Sequence, residues 1–437
     1  MNALDTGSSR LSNESRSHQH LHGDCMSERT PSLPGSHEQG LSHSRIGALF
    51  VLTFLLMLPE TLPVPVLRGL VVERFGVSDS LATLFMVANM IGALIATPLV
   101  GLYVDRTDKR RRLCLIALLL DAILTQALTH APGYGTFLLL RTLEGAAHIS
   151  ALTLVMSLVA DTAGKRRGRA LGAVGAGLTL GVATGAAIGG VIGKNQPTMT
   201  LHWASLLLLA TLALAIWLLP RDTRSGKEHG YREMLQAVRR APGLRAPLLL
   251  AFLDRFTVGF FTAGFPLMLA GVHGVDAPTI GKLLAAFLFP FALLSYPCGR
   301  LAERWSRLHL VAIGSLIYGV AVVCVGISPV SALWVLMPIC GISSAVMFIP
   351  TLLWLLDQTP GIGRSTAIAA FHAAGSLGFL LGPLACGELV AMAKVNSGSD
   401  TSSEGYALAF AVAGSVEILG AGLLVVLALR RRAHRAD

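Results

Sequence analysis

A few charged side chains stand where the chain is otherwise apolar. Glu60 lies in Leu58-Pro59-Glu60-Thr61-Leu62-Pro63, inside the apolar run 46–67. Arg141 and Glu144 lie three residues apart in the run 135–160, and Asp254-Arg255 falls in the run 246–270. Each run is long enough to cross a bilayer, which takes about 20 residues at ~1.5 Å per residue. An ionised group at that depth costs about 2.5 kcal/mol or more unless paired or hydrated, so each is predicted to meet a partner or a water-filled cavity. Glu60 comes 14 residues after the start of its run. That places it about 21 Å in and about 9 Å from the far face, level with Arg141 counted from Gly135. Glu144, at i+3, shares Arg141's helix face. Two carboxyls beside one guanidinium can divide the work, one pairing the arginine while the other holds a proton. The plainer alternative is a structural ion pair.

Asp254 and Arg255 sit about 12 Å from the face where their run begins, and as adjacent helical residues they point about 100° apart, toward different partners. His148, and Met347 and Phe348 in the run 332–356, are further candidate site residues, the last two either contacting an apolar substrate or merely packing. For His148 and His372 a buried, hydrogen-bonded imidazole is the simpler expectation. The prolines around Glu60 free backbone groups, as is common where a span lines a cavity.

The elements that must position these residues are membrane spans. Of 437 residues, 53% are hydrophobic and 14% charged, which reads as a polytopic membrane protein. Twelve apolar runs are predicted, at about 46–67, 80–104, 113–131, 135–160, 170–192, 201–219, 246–270, 279–299, 308–327, 332–356, 365–392 and 406–429. The organisation predicted is a disordered tail (1–45), a six-helix bundle (46–219), a linker (220–245) with an amphipathic stretch at Tyr231–Arg240, a second six-helix bundle (246–430), and a short tail (431–437). The net charge of +10 comes from basic loops on one side of the spans, so it signals orientation and not a nucleic-acid partner. Both termini and the linker are then expected in the cytoplasm, in a plasma or inner membrane. His18, His20 and His22 read as part of a solvated tail and not as a metal site. The six cysteines show no disulfide framework or zinc spacing. No Gly-rich phosphate loop, catalytic triad or metal-ligand cluster occurs. Neither enzymatic activity, ATP, cofactor nor metal is expected.

The chain also repeats itself. Gly101-Leu-Tyr-Val-Asp105-Arg106-Thr-Asp-Lys109-Arg110 joins the second and third runs, and Gly299-Arg-Leu-Ala-Glu303-Arg304-Trp-Ser-Arg307 follows 198 positions later. Gly145 aligns with Gly341, Asp161 with Asp357 and Gly185 with Gly382 at 196 or 197 positions. The loop resembles the helix 2–helix 3 motif of the major facilitator superfamily, Gly-x-x-x-Asp-Arg-x-Gly-Arg-Arg, with Asp108 where the family usually has glycine. Arg141-Thr-Leu-Glu144-Gly145 is similar to that family's helix-4 motif Arg-x-x-Gln-Gly, with Glu144 replacing glutamine. Gly172-x8-Gly181-x3-Gly185-Ala186-x2-Gly189-Gly190 resembles a helix-5 motif of drug:proton antiporters, with Ala186 where proline is expected. Gly382-Pro383 keeps that proline in the related helix.

This resemblance implies an all-α fold of twelve transmembrane helices in two pseudo-symmetric six-helix bundles. It implies a secondary transporter, acting as a monomer on a small-molecule substrate with protons as the coupling ion. The antiporter motif favours proton-coupled efflux of small amphipathic or apolar compounds, with Glu60, Glu144 and Asp254 carrying protons. A proton symporter importing a polar metabolite, or a non-transporting sensor or lipid-handling protein, are the alternatives. Asp105 is expected to latch onto the N-terminus of helix 11, with Gly101 permitting the approach and Arg106 pairing Asp161. Asp121 and Glu417 fall in spans peripheral in that fold and are expected to be packing or interface residues.

Overall fold

A computed structural model describes residues 43–107, 109–162, 167–219, 236, 241–358, 364–397 and 403–436. The tail 1–42 with its histidines and most of the linker, including nearly all of Tyr231–Arg240, lie outside the described residues. The described secondary structure is helical throughout.

Among the described residues twelve long helices run in order: α1 (His43–Thr61), α2 (Leu84–Thr107), α3 (Arg110–Leu128), α4 (Tyr134–Thr162), α5 (Arg167–Ile192), α6 (Met199–Leu218), α7 (Arg245–Gly259), α8 (Ala277–Arg304), α9 (Arg307–Ile327), α10 (Val330–Asp357), α11 (Arg364–Ser397) and α12 (Ser403–Ala436). Among the described residues, eleven helical segments are long and apolar enough to cross a membrane. The exception is α3, whose polarity comes from Arg110, Arg111 and Arg112 at its start and from Asp121 within it. The two halves depart from regular helix at matching places. After α1 the chain passes through a 3₁₀ turn, Val64–Val66, and a π-helical turn, Arg68–Glu73. After α7 it makes a π-helical turn, Phe260–Gly264, before Phe265–Gly271. Pro63, Pro65 and Pro266 lie in these stretches, where a missing N–H and a fixed φ disfavour α-helix.

Glycine spacing sets the tightest packing. A Cβ on Gly177, Gly181 or Gly185 of α5 would strike the carbonyls of Phe50, Phe54 or Leu58 on α1, and one on Gly189 that of Leu62 just past its end. Four glycines at every fourth position therefore clear a continuous face and bring the two backbones together, as small residues do between membrane helices. The motif's Gly172 faces open space. In the second half Gly378 and Gly382 of α11 take the same role against Phe252 and Phe256 of α7, and Pro383 presses on Gly259. The α2–α4 crossing is equally close, with Gly145 against the backbone of Asn89, and its counterpart sets Gly341 against Phe287.

The halves meet at the end away from the termini. Gly190 of α5 abuts Ala277 at the start of α8, Gly281 abuts Ala186, and Gly387 of α11 abuts Ser80 and Thr83. Asp276 caps α8 by accepting from the Thr279 N–H at 3.3 Å, and the Thr279 hydroxyl first, then that N–H, hold its carboxyl below the usual range. Asp79 uses both oxygens, Oδ1 taking Arg68 Nη1 of its own half at 2.6 Å and Oδ2 joining the halves by taking the Tyr406 hydroxyl at 3.2 Å.

Candidate functional site

The α1–α5 and α2–α4 contacts bring one charged cluster together in the middle of the first half. Arg141 is 3% exposed. Its Nη1 donates to Glu144 Oε2 at 2.5 Å and its Nη2 to Glu60 Oε1 at 3.1 Å. Its guanidinium carbon lies 4.3 Å from the centre of the Phe85 ring, so the face left by the two acids is covered by an aromatic. Asn89, carried in by the Gly145 crossing, donates Nδ2 to the same Glu144 oxygen at 3.1 Å. Glu60, Arg141 and Glu144, expected at one depth, form one bridged triad.

The cluster extends further than sequence reasoning reached. His148, one turn along α4 from Glu144, has Nδ1 2.8 Å from Asp121 Oδ2 on α3. Its Nε2 faces Glu60 Oε2 at 4.0 Å, and both of those atoms are buried without a hydrogen-bond partner, as is Arg141 Nε. Asp121 is fully buried, so it is a member of this network and not the packing or interface residue expected. An acid in the middle of an apolar run was the available signal. What the sequence could not supply was the rotation of α3, which aims Asp121 at His148. The row Asn89, Glu144, Arg141, Glu60, His148, Asp121 thus crosses four helices, with one break at the 4.0 Å gap. Glu60, Glu144 and His148 are close enough to contact a single small cation, although the guanidinium already fills the space between the two glutamates and disfavours a metal there.

A helical chain with buried ion pairs and a twofold internal repeat admits several membrane-protein families. The family model of the Major Facilitator Superfamily matches residues 49–253 and again 247–437. The chain belongs to the Major Facilitator Superfamily. It is a multi-pass membrane protein of that superfamily's twelve-helix, two-bundle fold, whose members carry small molecules. The bacterial homolog of the human lysosomal transporter Spinster, in an inward-facing and unoccupied conformation, superposes with TM-score 0.74 at 16% identity, covering 88% of this chain and 96% of that one. The nucleoside transporter NupG superposes with TM-score 0.69 at 13% identity, covering 87% and 98%. A curated relative, Multidrug resistance protein 2 of Bacillus subtilis (strain 168), is 28% identical over 145 residues, a match spanning 33% of this chain and 35% of that protein.

The superfamily's other expected positions are distributed as follows. Gly101, Asp105, Arg106 and Asp161 lie in the helices α2 and α4, but their side chains are outside the described set, as is Asp108. In the second copy of the loop Glu303 and Arg304 are exposed, and Asp357 is ion-paired by Arg307. The base that meets the acid at the end of α10 is thus three residues beyond the position aligned with Arg106. Asp254 and Arg255 stand in the second half, apart from the charged cluster, and against the expectation of different partners they pair with each other, Arg255 Nε lying 3.6 Å from Asp254 Oδ2 because the long arginine side chain folds back along the helix. Arg255 is folded into an aromatic clasp, its guanidinium carbon 4.2 Å from the Phe348 ring, 5.5 Å from Phe379 and 5.9 Å from Phe291. Met347 is buried and Phe348 half-buried, both beside a small cavity that Asp254 also lines. His372 is exposed, not buried as expected. Glu417 is 1% exposed, so it is an interior residue of the second bundle and not an interface one.

Proposed function

We propose that this superfamily member is a proton-coupled exporter that exchanges protons for small amphipathic or apolar compounds by alternating access. The observation that carries this reading is the Glu60–Arg141–Glu144 bridge with Glu60 Oε2 and His148 Nε2 left facing each other. Three carboxyls, Glu144 and Asp121 buried and Glu60 partly so, stand against one guanidinium, so two positive charges are wanting. A proton on His148 supplies one, and a proton on Glu60 or Glu144 the other. Loading and releasing that second proton changes whether Arg141 is shared between two carboxylates or held by one. This gives the bundle two charge states, which the two conformations of the transport cycle can distinguish.

The apolar and aromatic surroundings of Arg255 suit an apolar substrate. The helix-5 glycines, and the partial likeness to a protein named for multidrug resistance, point the same way. In this reading Asp105, Arg106 and Asp161 latch the cytoplasmic end when it closes. The basic loops face the cytoplasm, with both termini on that side of a plasma or inner membrane. The functional units are the bundles 46–219 and 246–430, joined by the linker 220–245, in a monomer.

The reading is tested in proteoliposomes with a panel of lipophilic dyes, nucleosides and sugars, each offered with and without an imposed pH gradient. Gradient-dependent movement of the dyes is the expected result. Movement of the polar solutes in the same direction as protons would favour the symport alternative, with Arg255 as an anchor for an anionic group.

A further inference from the structure

Asp254 and Glu417 take no part in the charged cluster, yet they stand together. Thr257, one turn past Asp254 on α7, donates to the Ala413 carbonyl at 3.4 Å. Ala413 is one turn before Glu417 on the antiparallel α12, so the two acids lie at one level on facing helices. The third wall is α9. A Cβ on its Gly319 would press on the Gly414 carbonyl and the Glu417 Cβ, and this close crossing brings Ser315 and Tyr318 to the same spot. Ser344 of α10 stands beside Asp254, and Ser315 beside Glu417.

Asp254, Glu417 and Tyr318 are each at least 97% buried. Even so, both Asp254 oxygens, Glu417 Oε1 and the Tyr318 hydroxyl have no hydrogen-bond partner. Two of the neighbouring hydroxyls donate to other acceptors, Thr257 to Ala413 and Ser315 to Met347 Sδ at 3.5 Å, while Ser344 stays within reach of Asp254 and both Thr257 and Ser315 within reach of Glu417. Buried polar oxygens are costly when unsatisfied, and here four belong to three side chains that feel one another's charge. The nearby cation is Arg255, whose Nε is 3.6 Å from Asp254 Oδ2 while its guanidinium stacks on Phe348. Two carboxylates against one guanidinium leave a single negative charge.

The internal repeat gives this place a second meaning. Thr257, Tyr318 and Ser344 fall 197, 197 and 196 positions after Glu60, Asp121 and His148. The second bundle therefore repeats the position of the first bundle's cluster with oxygen-bearing side chains in place of imidazole and carboxyls, and it draws its acids from Asp254 and Glu417 instead. A donor set of oxygens suits a hard cation, and one residual negative charge suits a monovalent one.

We propose that Asp254, Glu417 and Tyr318, with Ser315 and Ser344, form a sodium-ion site in the second bundle. A proton can satisfy one or two of the four unpartnered oxygens, since none of them hydrogen bonds another. A sodium ion takes all of them into one coordination shell. Access is through the small cavity that Asp254 and Ser315 line. Sodium binding at this place is independent of the substrate and of the direction of transport.

The test uses the purified full chain in detergent. Thermal unfolding is followed as NaCl replaces choline chloride at constant ionic strength, and binding of radioactive sodium is measured on the same preparation. Sodium, but not choline, is expected to raise Tm in a saturable manner, and labelled sodium should bind and be displaced by unlabelled sodium. Asp254→Asn and Glu417→Gln should lose both effects while still eluting as folded protein. Tyr318→Phe should weaken sodium binding about tenfold. Should those variants fail to fold, cation selectivity of the wild type alone decides. Equal stabilisation by sodium and choline, or folded wild-type protein that binds no sodium, would overturn the proposal. So would a stability that follows pH and ignores sodium, which would make this a proton site.

Discussion

Glu60→Gln is expected to abolish accumulation driven by a pH gradient while leaving substrate counterflow largely intact. The substitution keeps the volume of the side chain and its contact with Arg141 Nη2, but removes the group that can alternate between carboxylate and acid. Counterflow needs alternating access and no net proton movement, so it separates loss of coupling from loss of folding. Glu144→Gln is expected to be milder. Its Oε2 already receives both Arg141 Nη1 and Asn89 Nδ2, an arrangement that a glutamine carbonyl can keep. Gradient-driven accumulation at the wild-type level by Glu60→Gln would move proton carriage to another group, with Asp121 and His148 the first to examine.

Arg141→Leu is expected to have the largest effect on the folded state. It strands Glu60 and Glu144, both in or near the interior, without their shared cation, and losing one partner of a buried ion pair costs about 3–5 kcal/mol. Most of the protein should then be lost to aggregation, or unfold at a markedly lower temperature. Adding Glu60→Gln and Glu144→Gln to Arg141→Leu removes the stranded charges and should recover folding but not transport. Unfolding temperature and elution profile of the single and triple variants are the readout. A stable single mutant would mean that these carboxyls are protonated, and not paired, in the resting protein.

Much of this architecture is legible in the sequence because membrane spans announce themselves by length. The level placement of Glu60 and Arg141 needed only a rise per residue and two span boundaries. The glycine spacing on α5 is of the kind that lets two membrane helices pack closely, although Gly177, which contributes as much as its neighbours, lies outside the motif. What remained hidden depends on helix rotation about its own axis. Asp121 and Glu417 looked peripheral because their helices are, yet each turns its acid inward. The low hydrophobic asymmetry of helices that touch lipid on one face and protein on the other leaves that rotation unmarked. Asp357 found Arg307 and not the base aligned with Arg106 because the repeat preserves helix position more strictly than loop register.

The central claim is that proton flow through the Glu60–Arg141–Glu144–His148 cluster runs against substrate flow. It is tested most directly by trapping a pH-sensitive dye inside proteoliposomes and imposing an outward gradient of a compound that the panel shows to be carried. The account predicts that the lumen acidifies as the compound leaves, at a rate that scales with its efflux, and that Glu60→Gln removes the pH change while exchange of the compound persists. Efflux with no change in lumenal pH, or with alkalinisation, would contradict it.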